Sequence, residues 1–204
     1  PLNRTGVIMD QRLAQQIDFV MELDRLKSVV RQNQTPSAQR RENTAEHSWH
    51  LAMMGWVLED QSPVAVDRAK VLCMLLLHDV VEIDAGDTFA YDETEHDDKA
   101  LREAQAADRI FGLLPADQAR DFRAVWDEFE AGQSPEARLA RALDRLQPIL
   151  LNHRCGADSS WAKHGISKAQ VLKRNVEVKA LSPALWALLN RCCDDAVAAD
   201  FLKA

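Results

Sequence analysis

A histidine and several carboxylates stand together at the end of an apolar run. Residues 75–87 read LLLHDVVEIDAGD, which places His78, Asp79, Glu82 and Asp87 close together in the chain. Burying such groups without partners costs several kcal/mol each, so they must pair, face water in a cleft or bind a cation. Carboxylates at the C-terminal end of an apolar helix also oppose the helix dipole. A bound cation would relieve both costs.

Two further segments carry residues that can bind a metal. The segment EHSWH contains His47 and His50 at i, i+3 spacing, although one histidine in a helix is more often simply packed. In ALDRLQP, Asp144 lies among apolar residues and is flanked by Arg141 and Arg145. A buried aspartate needs a partner, and a salt bridge to one of these arginines is the alternative to a ligand role.

The three segments together predict a metal site. His47, His78, Asp79 and Asp144 supply two imidazoles and two carboxylates from three predicted helices. This donor set suits a divalent ion such as Mn, Co, Fe, Zn or Mg. An octahedral shell with these four ligands leaves positions for water and a substrate oxygen, as a hydrolase needs.

The elements that must position these residues are predicted to be helices. The chain has 7 glycines in 204 residues, is rich in Ala, Leu, Arg and Glu, and shows few alternating β-branched residues, all of which favour helix. We therefore expect an all-α, single-domain protein over residues 1–204, with roughly seven or eight helices. The predicted helices cover about residues 8–31, 44–60, 64–82, 100–114, 115–132, 134–154, 167–181 and 182–202. Residues 32–43 and 86–98 are predicted to be loops, and Thr44 is the predicted N-cap of the second helix.

Composition excludes several classes of function. The formal net charge of −7 argues against binding of a nucleic acid polymer, which needs clustered Lys and Arg. A small anionic substrate is not excluded, because a metal and a few cations can reverse the potential within one cleft. No apolar run approaches the roughly 18 residues of a membrane span. The 4 cysteines show no CxxC spacing, which favours reduced thiols in a cytoplasmic protein.

The H…HD…D pattern resembles the HD-domain superfamily of metal-dependent phosphohydrolases. The segments EHSWHLA, LLLHDVVEIDAGD and ALDRLQP are similar to those of small HD-domain proteins related to the 5′-deoxynucleotidases. The likeness runs from about residue 23 to residue 153, and the helices within 167–202 are expected to pack on that core. The resemblance implies a helical HD-domain bundle with His47, His78, Asp79 and Asp144 as metal ligands.

The resemblance also implies a reaction and roles for two carboxylates. The reaction removes the 5′-phosphate from a (deoxy)nucleoside monophosphate, and such proteins are often homodimers. Glu82 is implied to be catalytic, and one helical turn from His78 it could orient or deprotonate a water molecule. Asp87 is implied to contact the sugar hydroxyl or the leaving group.

A phosphate substrate also needs cations. The candidates are Lys27 and Arg31 on the first predicted helix and Arg40 and Arg41 before EHSWH, with a surface role as the alternative for each. His50 is a candidate contact to the phosphate, with plain packing as its alternative.

Other residues are expected to be structural. We predict a core position for four tryptophans, namely Trp49, Trp56, Trp126 and Trp186. Trp161 is predicted to lie in a loop, Asp84 to be solvated and Arg174 to be a surface charge. His153 is a candidate for the wall of the cleft.

Two other functions compete with nucleotide hydrolysis. A (p)ppGpp hydrolase also carries HD followed closely by glutamate, but usually as Glu-Asp, whereas this chain has Glu82-Ile83. A non-catalytic metal-bound or nucleotide-binding module is the third hypothesis. The presence of every ligand and of Glu82 argues against it.

Overall fold

The computed structural model describes residues 10–37, 39–91 and 98–204. Within these ranges the chain forms eleven α-helices and a two-stranded antiparallel hairpin. The helices are α1 (Gln11–Leu23), α2 (Thr44–Val57), α3 (Arg68–Leu77), α4 (Glu82–Ala85), α5 (Lys99–Phe111), α6 (Ala116–Ala131), α7 (Pro135–Cys155), α8 (Ser160–His164), α9 (Lys168–Arg174), α10 (Val176–Leu181) and α11 (Pro183–Ala198). The hairpin consists of β1 (Val30–Thr35) and β2 (Arg40–Asn43). The all-α prediction is confirmed, and the hairpin is an addition to it.

The first predicted helix is too long at its C-terminal end. Helix α1 gives way to a 3₁₀ turn over Asp24–Ser28, and Arg31 lies on β1 rather than on a helix. The β-branched pair before Arg31 favours an extended backbone, and Pro36 lies in the turn that follows. The predicted start of this helix, at Ile8, lies outside the described residues.

Helix α2 begins one residue earlier than the predicted cap implies. Asn43 is the N-cap and forms a capping box with Glu46, in which each side chain accepts a hydrogen bond from the other's backbone N–H. The hydroxyl of Thr44 is thereby free to donate to Glu82, with its oxygen 2.8 Å from Oε2. The helix start is thus coupled directly to a predicted catalytic carboxylate.

The predicted helix over residues 64–82 is interrupted. Helix α3 starts after Asp67, whose side chain caps it, and ends at Leu77; a tight turn over residues 78–81 leads into α4. Backbone hydrogen bonds from Val80 to Leu77 and from Glu82 to Asp79 span three residues, which is the tighter 3₁₀ spacing. The turn therefore presents His78 and Asp79 together.

Helix α7 runs through the middle of the molecule. Ser134 caps its start by accepting from the backbone N–H of Ala137, and Pro135 occupies the first turn, both as predicted. The helix packs against α2, α3, α6, α10, α11 and β1. Pro148 lies within it and offers no N–H to the carbonyl of Asp144, one turn earlier. Asp144 is therefore fixed on the most centrally packed helix, beside a local break in its hydrogen bonding.

Two groups of buried apolar residues flank the turn at residues 78–81. The larger group joins α2, α3, α6, α7, α8, α9, α10 and α11. The smaller joins α1, α5, α6 and the turn itself, through Val80 and Val81. Gly55 of α2 permits the close approach of α3, because an added Cβ would lie 2.6 Å from Cδ1 of Leu75.

The tryptophans only partly follow the prediction. Trp126 is buried and Trp186 packs at the edge of the larger group. Trp49 and Trp56 are wrong predictions, with 64% and 55% of their surface exposed. Trp161 is buried on α8 instead of lying in a loop. The helical spacing of Trp49 and Trp56 marks an apolar stripe, but not which side of the helix the protein covers.

In the described parts of the chain, every helix falls short of the length and apolarity that crossing a bilayer requires.

Candidate active site

His47 lies on the first turns of α2 and is completely buried. Its Nε2 is 3.1 Å from Oδ1 of Asp144, on α7. Its Nδ1 is 3.5 Å from Oε2 of Glu42, a buried residue on β2. Among the described residues neither of these two atoms has a hydrogen-bond partner, so the carboxylate lies beside the ring without a formed bond, in the place where metal-binding histidines usually have an orienting partner.

His78 presents an unsatisfied nitrogen to the same point. Its Nδ1 lies 3.0 Å from the carbonyl oxygen of Leu75, which places a proton on Nδ1 and leaves Nε2 to bind either a second proton or a metal ion. Among the described residues that buried Nε2 has no hydrogen-bond partner, although Oδ2 of Asp79 approaches to 3.1 Å and Oδ1 of Asp144 to 3.7 Å. Trp126 holds the turn by donating to the carbonyl of His78 over 3.1 Å.

The predicted ligands converge from three parts of the fold. Atoms of His47, His78 and Asp144 that can bind a metal all lie within 4.8 Å of one another. Asp79 adjoins them, with Oδ2 3.6 Å from Nε2 of His47. A divalent ion fits here, because the orphaned Nε2 of His78 and the neighbouring carboxylates supply borderline and hard donors.

The electrostatics of the cluster favour a cation. Burial opposes a charge on His78, but Asp79 and Asp144 outweigh it and raise its pKa to about 10. Burial likewise opposes ionisation of Asp144, yet the two imidazoles hold its pKa well below the usual range. Carboxylates that attract a proton onto an imidazole so strongly also attract a metal ion, which competes for the same nitrogen.

Glu82 and Asp87 lie beside this cluster. Glu82 is buried, and burial, reinforced by Asp79, raises its pKa well above that of an ordinary glutamate. Burial also raises the pKa of Asp87. Both carboxylates line the same pocket as Asp79 and Asp144. The structure thus brings the two predicted catalytic carboxylates to the metal-binding cluster.

Arg31 lies at the centre of the carboxylates. One of its terminal nitrogens, Nη1, is 2.8 Å from Oδ2 of Asp79, 3.6 Å from Oδ1 of Asp87 and 3.8 Å from Oε1 of Glu82. Its Nε is 3.7 Å from Oε2 of Glu42. Burial disfavours the charged guanidinium, but these carboxylates raise the pKa of Arg31. Its positive charge is therefore already neutralised by the protein.

The structure does not bring three other predicted substrate contacts to the pocket. Lys27 is exposed and pairs with Asp24 on the 3₁₀ turn after α1, and Arg41 is exposed on β2. His50 faces Gln147, whose Nε2 lies 3.3 Å from its Nδ1. A continuous helix would have placed Lys27 and Arg31, four residues apart, on the same face. Because α1 ends at Leu23 and Arg31 lies on β1, the two side chains do not share a face.

Three further predictions for single residues differ from the structure. Asp84 forms an ion pair with Arg109 instead of being only solvated. His153 lies 3.3 Å from Asp195, apart from the pocket. Arg174 is half-buried and lines the pocket, so its prediction as a surface charge is wrong.

The pocket has a volume of about 100 Å³, which suits the phosphate-bearing end of a ligand, since whole ligands usually occupy several hundred Å³. A larger cavity of about 380 Å³ lies elsewhere, between Pro63, Gly132 and Glu177, and lacks the histidine cluster. The residues lining the smaller pocket that carry a positive charge are Arg31, Lys99, Arg145 and Arg174.

Sequence reasoning missed three of the pocket's neighbours. Arg145 directly follows Asp144, and this adjacency is the signal that could have placed it in the pocket as well as predicting it as a partner for that aspartate. Glu42 and Arg174 carry no local signal, since only long-range packing brings β2 beside His47 and brings Arg174, at the end of α9, to the pocket that Arg145 of α7 lines.

Comparison with known proteins identifies the family. A family model described as the HD domain matches residues 23–186. The chain belongs to the HD domain family. Its resemblance to that family, carried by the H…HD…D pattern, is confirmed.

Solved structures of similar proteins agree with this HD-domain assignment. The chain is similar, at 44% identity over the whole of both chains and a TM-score of 0.90, to a predicted metal-dependent phosphohydrolase from Magnetospirillum magnetotacticum MS-1. An HD-domain phosphohydrolase from Listeria innocua shares the fold, with 16% identity, 90% of each chain covered and a TM-score of 0.62.

Curated relatives of the HD-domain chain are 5′-deoxynucleotidases. The human 5′-deoxynucleotidase HDDC2 is 29% identical over 135 residues, which cover 66% of this chain and 65% of that protein. The Danio rerio protein of the same name is 30% identical over 112 residues, covering 55% and 54%. The chain therefore spans between half and two thirds of the length of these relatives.

Proposed function

We propose that this HD-domain protein is a metal-dependent 5′-deoxynucleotidase that removes the 5′-phosphate from (deoxy)nucleoside monophosphates. The observation that carries the proposal is the convergence of His47, His78 and Asp144 within 4.8 Å, in a pocket that also holds Glu82 and Asp87. The 5′-deoxynucleotidase names of the curated relatives support the choice of substrate.

In this proposal His47, His78, Asp79 and Asp144 hold the divalent ion. When bound, such an ion supplies Lewis-acid chemistry to a phosphate ester and increases the acidity of water. Glu42 keeps the ring of His47 oriented through Nδ1, and the Leu75 carbonyl does the same for His78. The protein thereby presents the Nε2 atom of each ring inward.

Glu82 is proposed to orient the attacking water and accept its proton. Burial raises the pKa of Glu82, which makes its carboxylate a stronger base than that of an exposed glutamate. Thr44 donates to Oε2 of Glu82 and so leaves Oε1 as the atom facing Arg31 and the pocket. Asp87 is proposed to accept a hydrogen bond from the sugar hydroxyl, because a carboxylate would repel the phosphate.

Phosphate release from different nucleotides tests the proposal. The purified protein with Mn²⁺ or Co²⁺ is incubated with dAMP, AMP and ppGpp. We expect inorganic phosphate from dAMP at the highest rate. Pyrophosphate from ppGpp would instead indicate a (p)ppGpp hydrolase, and the absence of any product from a metal-loaded protein would indicate a non-catalytic module.

We also infer that the protein forms a homodimer through an apolar face of α2 and α3. The face, called here the α2–α3 face, consists of Trp49, Met53, Trp56, Val57 and Leu76, each between 42% and 69% exposed. Its exposed apolar area is roughly 600 Å² per copy, taking about 250 Å² for a whole tryptophan. This approaches the roughly 800 Å² that each partner buries in a standard interface. A patch of apolar side chains is also self-complementary, as a two-fold interface requires.

Charge reversal on the α2–α3 face tests the dimer. Trp49→Glu is expected to convert the protein to a monomer in sedimentation equilibrium. Leu188→Glu, which places the same charge on a 40% exposed apolar position of α11, is the matched control and should leave the dimer intact. A wild-type monomer at micromolar concentration, or a dimer that survives Trp49→Glu, would contradict the inference.

A cytoplasmic location is the third part of the proposal. The four cysteines are all free thiols, and Cys73 is exposed. Exposed free thiols persist mainly in reducing compartments. Fractionation of cells that express the tagged protein tests this location, and recovery in a secreted fraction would exclude it.

A further inference from the structure

Two arginines of the pocket lack the partners that neutralise its other cations. Arg31 contacts Asp79, and Lys99 pairs with Glu103 at 3.3 Å. Arg145 and Arg174 line the same pocket. Across residues 10–37, 39–91 and 98–204, neither is found in an ion pair or donates a hydrogen bond to a carboxylate.

The surroundings of Arg174 hold its guanidinium in place without neutralising it. Its Cζ lies 6.0 Å from the ring centroid of Tyr91, whose own ring is 5.5 Å from that of Phe89. Burial, and then the nearby charge of Arg145, lower the pKa of Arg174 to about 10. Two half-buried like charges cost free energy unless an anion joins them.

The position of the pair indicates which anion it binds. Arg145 follows Asp144 on α7, and Asp144 is among the charges that act on Arg174. The pair therefore lines the same pocket as Asp144 and the carboxylates that hold Arg31. Guanidinium groups match the oxygens of phosphate in geometry as well as in charge.

We propose that Arg145 and Arg174 form the phosphate subsite of the pocket and bind the phosphate of the substrate at the metal-binding cluster. The inference rests on the proposed function for the identity of the substrate, but not for the binding of phosphate itself. Arg31 is assigned a different role, in which it holds Asp79, Glu82 and Asp87 in place.

Titration with inorganic phosphate tests the subsite. Calorimetry is performed on Mn²⁺-loaded wild-type protein, on Arg145→Gln and on Arg174→Gln, with Lys173→Gln as the control, because Lys173 is the exposed neighbour of Arg174. The loss of one charge-assisted hydrogen bond predicts a rise in the phosphate Kd of about tenfold or more in each arginine variant. Lys173→Gln should match the wild type, and Arg174→Lys should recover part of the affinity because it restores the charge.

The subsite and the proposed function fail differently. If the wild type hydrolyses dAMP while both arginine variants keep its phosphate Kd and its KM, the subsite is wrong and the function stands. If the wild type binds phosphate but leaves every nucleotide intact, and both arginine variants lose phosphate binding, the function is wrong and the subsite stands. Wild-type protein that binds no phosphate would overturn the subsite.

Discussion

Removal of Arg31 should destabilise the protein strongly in the absence of metal. Its side chain is 13% exposed and lies within 4 Å of carboxylate oxygens of Glu42, Asp79, Glu82 and Asp87. Arg31→Met keeps most of the volume and removes the charge, which leaves four largely buried carboxylates without their common cation. Breaking a buried ion pair by removing one partner costs about 3–5 kcal/mol. We expect the free energy of unfolding of Arg31→Met to fall by an amount in that range.

Urea unfolding in EDTA at pH 7 measures this loss. The matched control is Arg12→Met, which removes an exposed arginine that makes two hydrogen bonds to Asp117. Exposed pairs contribute little, so the control should unfold close to the wild type. Addition of Mn²⁺ should reduce the difference in the free energy of unfolding between Arg31→Met and the wild type, because the ion supplies positive charge to the same carboxylates. Equal losses for the two variants would refute the assignment of Arg31 as the structural counter-charge.

Two carboxylates near the cluster should show separable effects. Glu82→Gln is expected to lower kcat by about 10²–10⁴-fold, the usual contribution of a general base, with the Mn²⁺ content unchanged; loss of the ion would instead make Glu82 a ligand. Glu42→Gln is expected to weaken Mn²⁺ binding by about 10–100-fold, as for other groups that orient a metal-binding histidine, and an unchanged Mn²⁺ Kd would show that Glu42 does not position His47.

The sequence predicted the helical class and the residues of the cluster because both depend on local signals. Helical spacing and the capping of α7 by Ser134 are local, and the H…HD…D residues were recognisable by type and spacing. The site roles of these residues stay predictions, as does the single-domain organisation, while the structure places the cluster residues together.

The differences arise where tertiary contacts decide. The hairpin at β1 and β2 replaced a predicted helix end and loop, which moved Arg31 among the carboxylates and left Lys27 on the surface. Trp49 and Trp56 carry a helical apolar stripe that the sequence cannot distinguish from a buried one. Arg174, at the end of α9, reaches the pocket because α10, which follows it, packs on α7, a contact between segments about 30 residues apart in the chain.

The Mn²⁺ content of the Asp144→Ala variant after equilibrium dialysis tests the metal site directly. We expect a single ion per chain in the wild type, retention of that ion in the control Asp117→Ala, and its loss together with dAMP hydrolysis in Asp144→Ala. An Asp144→Ala protein that is folded, retains its ion and hydrolyses dAMP at the wild-type rate would show that Asp144 is not a metal ligand.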